Sequence, residues 1–94
     1  MVKKRLTKKW IMNEERIKEA IAVLQMVAND NTTPRNIRKA ARQAIDELQT
    51  DKTPGVRAAA AVHILDEISQ DPNLPIYARL KIWNAVSILE SVRD

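Results

Sequence analysis

Thr33-Pro34-Arg35-Asn36-Ile37-Arg38-Lys39-Ala40-Ala41-Arg42-Gln43-Ala44-Ile45-Asp46-Glu47-Leu48 is the stretch whose reading decides the fold. Its apolar residues Ile37, Ala41, Ala44, Ile45 and Leu48 fall three or four apart, so at about 100 degrees per residue they gather on one helical face. Pro34 suits a first helical turn, because its missing N–H would have had no intrahelical acceptor there, and Thr33 stands where a cap belongs. Twenty residues on, Thr53-Pro54, Ala60-Ala61 and Leu65-Asp66-Glu67-Ile68 restate the same plan. A longer offset of 41 relates Asp30, Pro34 and Arg38 to Asp71, Pro75 and Arg79.

Working outward, the prolines predict helices over 14–29, 34–49, 54–70 and 75–92, joined by loops at 30–33, 50–53 and 71–74. Loops of about four residues make sequential helices antiparallel neighbours. The first helix gathers Ile17, Ala20, Ile21, Leu24, Val27 and Ala28; backward extension would bring Trp10 and Leu6 onto that stripe. The third aligns Ala58, Ala61, Ile64, Leu65 and Ile68, and the fourth Ile82, Ala85, Val86, Leu89 and Val92. The expectation is an all-α, up-and-down four-helix bundle. The alternative is a pair of HEAT-like helical hairpins, since Asp51-Lys52-Thr53-Pro54-Gly55-Val56-Arg57-Ala58-Ala59-Ala60 resembles the start of such a repeat. Repeat stacks need three or more units and end caps, so closure of the first helix on the fourth is preferred.

Composition agrees. Ninety-four residues with one Gly and no Cys or Phe fit one helical domain without disulfides, thiolate metal sites or thiol nucleophiles. The longest apolar run, Ala58 to Val62, is five residues and cannot span a bilayer. Lysines follow the basic start where a secretory signal would be apolar, so a cytoplasmic protein is expected. The net charge of +4 comes from 16 basic and 12 acidic residues. Lys3, Lys4, Arg5, Lys8 and Lys9 all precede Asn13, which leaves 11 against 12 beyond them. Residues 1–12 thus read as a basic arm that can extend the first helix, and 13–94 as the bundle.

Thr33-Pro34-Arg35-Asn36-Ile37-Arg38, Pro54-Gly55-Val56-Arg57-Ala58-Ala59 and Ile64-Leu65-Asp66-Glu67-Ile68-Ser69-Gln70-Asp71-Pro72-Asn73 together resemble a family of small uncharacterised archaeal proteins. The similarity runs from about Ile17 to Leu89. It implies a four-helix bundle with left-handed twist and a cytoplasmic life in an archaeon, and it implies no reaction.

The residues offer little chemistry. A di-iron bundle needs paired Glu-x-x-His motifs, and the single His63 cannot supply them. It reads instead as a helix-face histidine beside Glu67 at i+4. Asp46-Glu47 and Asp66-Glu67 are adjacent pairs pointing about 100 degrees apart on a helix, suited to a polar border rather than acid-base work. No nucleophile triad or phosphate-cradling loop can be assembled. No enzyme, cofactor, metal, membrane or small-molecule substrate is expected.

Two surfaces remain. Ile76, Leu80 and Trp83 form a second apolar face on the fourth helix, where either Trp83 folds over the edge of the core or the face meets a protein partner, a second copy of the chain being one candidate. Val23 and Met26, off the first helix's core stripe, can add to it. On the second helix, Arg35, Arg38, Lys39 and Arg42 share an arc of about 100 degrees with no acidic residue between 34 and 45. With the arm they can follow a phosphate backbone; the opposing reading is a solvated face with Arg42 paired to Asp46. Protein association is the leading expectation, and sequence-nonspecific nucleic-acid or ribosome association the alternative.

Overall fold

The computed structural model describes residues 7–94. Four helices run up and down in turn: α1 Lys8–Ala28, α2 Arg35–Leu48, α3 Pro54–Ile68 and α4 Ile76–Glu90. The extents are 43 × 21 × 20 Å. The most extensive packing is of α2 on α3 and of α1 on α4. Contact of the first helix with the last closes a bundle, whereas a stack of two open hairpins would leave them apart. The buried faces of α1 and α3 carry Ala20, Ala28, Ala58 and Ala61, whose small side chains let these diagonal helices touch; α2 and α4 do not meet.

Helix α1 begins at Lys8, six residues before the predicted start. Its N-cap is Thr7, whose Oγ1 accepts from the Trp10 N–H at 3.1 Å. The expected caps Thr33 and Thr53 do not act that way: neither the α2 nor the α3 N-cap makes a side-chain hydrogen bond to its own helix. Thr33 bonds Tyr77 instead, and Thr53 bonds Asp94.

The core repeats at an offset of 41. Ala20, Leu24, Ala44 and Leu48 are buried, and so are their counterparts Ala61, Leu65, Ala85 and Leu89, identical in type. Buried Ile37 and Ala41 answer to buried Ala78 and Ile82, so a large and a small side chain exchange places between halves and total volume is kept. The loops follow the same rule. Asp30 accepts from the Thr32 N–H and Asp71 from the Asn73 N–H, each an Asx turn. Across the molecule, Tyr77 donates to Asp30 and Asn36 donates to Asp71, and 36 and 77 are themselves 41 apart. The two halves of the chain thus repeat each other's buried positions, and each repeats the other's loop contact.

No helix carries a basic residue in its own last turn. Terminal carbonyls at the negative end of a helix lack intrahelical donors and attract cations. An arginine from the next helix around the ring supplies the donor each time. Arg42 reaches the Ala28 carbonyl at 2.9 Å, Arg57 that of Leu48 at 3.1 Å, and Arg79 that of Ser69 at 2.8 Å. Arg16 of α1 completes the circle on Ser91 at 3.3 Å.

Candidate interaction surface

Seven sequence-predicted contact residues lie on α2 and α4. On α4, Ala78, Ile82, Ala85 and Leu89 turn inward, which leaves the opposite arc to Ile76, Leu80, Trp83 and Ser87. Ile76 is 76% exposed, and Leu80 and Trp83 are 58% exposed. Trp83 thus does not fold over the core edge; its position on the helix lies some 130 degrees from the core direction, beyond the reach of a planar indole on a short stem. No charged side chain falls within the arc.

Bonds between Arg16 and Ser91 and between Asp30 and Tyr77 set the α1–α4 register. That register sets Met26, 56% exposed, level with Lys81 of α4. Val23 departs from expectation: it is half-buried and packs against the core, because its place on α1 faces the α4 seam. It belongs to the bundle rather than to an outer surface.

The basic face of α2 is partly spent. Arg38 is half-buried and donates from Nε to the Thr33 carbonyl at 3.0 Å. Arg42 is not paired to Asp46 and gives its hydrogen bond to Ala28 instead, since a terminal carbonyl on α1 offers it a fixed acceptor. Arg35 and Lys39 are exposed. Of the basic arm, Lys8 is exposed and Lys9 donates from Nζ to the Asp94 carbonyl at 2.5 Å. Lys3, Lys4, Arg5 and Leu6 lie outside the described residues.

Other candidate chemistry stays dispersed. His63 Nε2 lies 3.9 Å from Glu67 with both side chains more than three-quarters exposed, a weak solvated i,i+4 contact. Among the described residues, no group of three or more metal-ligating side chains converges, and no helix is long and apolar enough to cross a membrane. A cleft of about 520 Å³ between α3 and α4 is lined by Val56, Val62, Leu89, Val92 and Asp94. Its carboxylate is already engaged, accepting from Thr53 Oγ1 at 2.7 Å and from the Gly55 N–H at 2.8 Å. These two bonds, ahead of the Lys9 and Arg57 charges, hold Asp94 below its ordinary value of 3.8. At the other end, Tyr77 first and then Thr32 draw the Asp30 pKa down to about 2.

Two polar features escaped the sequence reading. Arg57 is buried and pairs with Glu14, and Asn13, also buried, donates to the Arg93 carbonyl at 2.9 Å. The signal for Arg57 was its place in the repeat: it sits one residue before the buried Ala58, within a motif that opens a helix.

The comparisons give the chain relatives but no activity. A protein from Metallosphaera sedula is 60% identical over 87% of this chain and 93% of its own length, and one from Desulfurococcus amylolyticus is 49% identical over 87% and 91%; both are named only as UPF0147 proteins. The crystal structure of the unknown-function protein MMP1188 superposes with a TM-score of 0.84 at 38% identity, covering 98% of this chain and all of that one. That of a protein from Thermoplasma acidophilum, from the same uncharacterised family, has a TM-score of 0.81 at 27% identity over 88% and 99%. With residues 4–92 matching the family's model as well, the chain belongs to UPF0147, an uncharacterised protein family.

Proposed function

We propose that this chain is a non-enzymatic association module whose working surface is the outward face of α4, met by another protein. One observation carries the reading: Ile76, Leu80 and Trp83, each more than half exposed, share an uncharged arc on a helix whose opposite side already fills the core. A contiguous apolar patch that the bundle does not need is the usual mark of a contact surface. Trp is among the residues that most often anchor such contacts.

The test places a photo-crosslinking amino acid at Ser87, within the arc, and at Asp46, the counterpart on α2. A protein adduct from position 87 that is absent from position 46, and that Leu80→Lys abolishes, is expected. Equal adducts from both positions, or adducts to nucleic acid alone, would refute the reading. A second reading, sequence-nonspecific binding to RNA or DNA, keeps Arg35, Lys39 and Lys8 as its exposed cations and loses the support of Arg38, Arg42 and Lys9, which serve the bundle itself.

A further inference from the structure

We infer that the partner of the α4 face is a second copy of the same chain, docked antiparallel about a two-fold axis that passes between Leu80 and Trp83. This rests on the α4 face being a protein-contact surface and goes on to name its occupant and its geometry.

The first argument is an internal control. The offset of 41 that relates the two halves places Ile76, Leu80, Trp83 and Ser87 on α4 at the same outward positions as Arg35, Lys39, Arg42 and Asp46 on α2. The buried sides of the two helices match position for position: Ile37, Ala41, Ala44 and Leu48 against Ala78, Ile82, Ala85 and Leu89. One scaffold thus carries the same face twice, charged in one copy and apolar in the other. Folding leaves Arg35, Lys39 and Asp46 exposed and charged on α2; Arg42 is held by the Ala28 carbonyl, but the corresponding carbonyl of Ser69 is bonded by Arg79 and makes no demand on position 83, so the apolar side chains on α4 answer to something outside the bundle.

The second argument is spacing. Positions 76, 80, 83 and 87 are separated by four, three and four residues, an order that reads alike from either end of the helix. Antiparallel pairing centred between 81 and 82 therefore sets Leu80 against Trp83 of the second copy and Ile76 against Ser87, with no charged residue of the arc brought onto an apolar one. An isologous contact demands this self-complementarity, and a charged partner would find nothing to pair with along the arc.

Area is the third. Ile76, Leu80, Trp83 and Met26 are each more than half exposed. Side chains of this size leave roughly 500 Å² per chain, so a pair would bury roughly 1,000 Å², the lower edge of a specific interface. Association in the micromolar range follows, concentration-dependent and centred on Trp83.

Sedimentation of the purified full chain over a concentration series is the experiment. A monomer–dimer equilibrium is expected, with Trp83→Ala weakening it about tenfold or more. Transplanting the α2 face as Ile76→Arg, Leu80→Lys and Trp83→Arg should give a monomer at every concentration, with unchanged helicity and an unfolding midpoint equal to that of the dilute original. Because the chain has no cysteine, register can be read directly. Mixed chains carrying Ile76→Cys and Ser87→Cys should form the disulfide between unlike chains, while Ser87→Cys alone should not cross-link to itself. A chain that stays monomeric at high micromolar concentration overturns the inference, as does a dimer that survives the triple replacement or a Ser87→Cys self-cross-link. If the chain is monomeric and position 87 still captures a different protein, the self-pairing fails and the association reading stands. If neither occurs, both fail.

Discussion

Arg57→Ala is expected to be the most damaging single change at any arginine of the bundle. Arg57 is buried, its Nη1 donates to the Leu48 carbonyl at the end of α2 and its Nη2 pairs with Glu14 of α1, so one side chain joins three helices. Truncation removes a hydrogen bond worth about 1 kcal/mol. It also leaves the Glu14 carboxylate, 29% exposed, without its cation, and opens a hole where the aliphatic stem lay. Together these amount to about 3 kcal/mol, toward the lower end of the cost of breaking a buried pair because Glu14 keeps partial hydration. With a urea slope of about 1–1.5 kcal/mol per M for a domain this small, the unfolding midpoint should fall by about 2–3 M. Glu14→Ala should cost less, and the double replacement should cost about 1 kcal/mol or more less than the sum, because the two losses share one contact. A midpoint shift below about 0.5 M for Arg57→Ala, or strict additivity in the double replacement, would refute the reasoning.

Three further outcomes are expected. A methyl group at Gly55 would lie 2.8 Å from the Asp94 carboxyl, a flexible terminal group, so Gly55→Ala should displace that carboxylate with little change in stability and return the Asp94 pKa, followed by NMR, toward 3.8. Because the folded-state pKa of Asp30 lies near 2 and the ordinary value is 3.8, the stability linked to it is present above that ordinary value and is lost as pH falls toward and through the folded value; Tyr77→Phe should raise the folded pKa and narrow this window. Arg42→Ala should destabilise by about 1 kcal/mol through the freed Ala28 carbonyl, whereas Arg35→Ala and Lys39→Ala should leave urea midpoints unchanged and reduce any salt-sensitive retention on RNA.

The four helices were legible because proline position and apolar spacing are local signals: Pro54 opens α3 where expected, and Leu24, Leu48, Leu65 and Leu89 are all buried. The second apolar stripe of α4 was legible for the same reason, but its exposure was not, since Trp83 folding over the core edge fitted the helix period as well. What could not be read was the choice of partner by polar side chains across the fold. Thr33 and Thr53 carry a cap signature, yet their hydroxyls go to Tyr77 and Asp94, 44 and 41 residues away. Arg42 has Asp46 one turn ahead of it and bonds Ala28, 14 residues back. Periodicity says which way Val23 points but not that another helix stands there; only the α1–α4 contact makes it interior.

The circle of arginines from each helix to the end of the one before it ties the closing turn of every described helix to a neighbour. Fraying ordinarily begins at a helix terminus, but here releasing any one of the four withdraws an arginine from its neighbour or strips an acceptor from it. Amide exchange from the four helix interiors should accordingly share a single opening free energy, with no hairpin escaping ahead of the other.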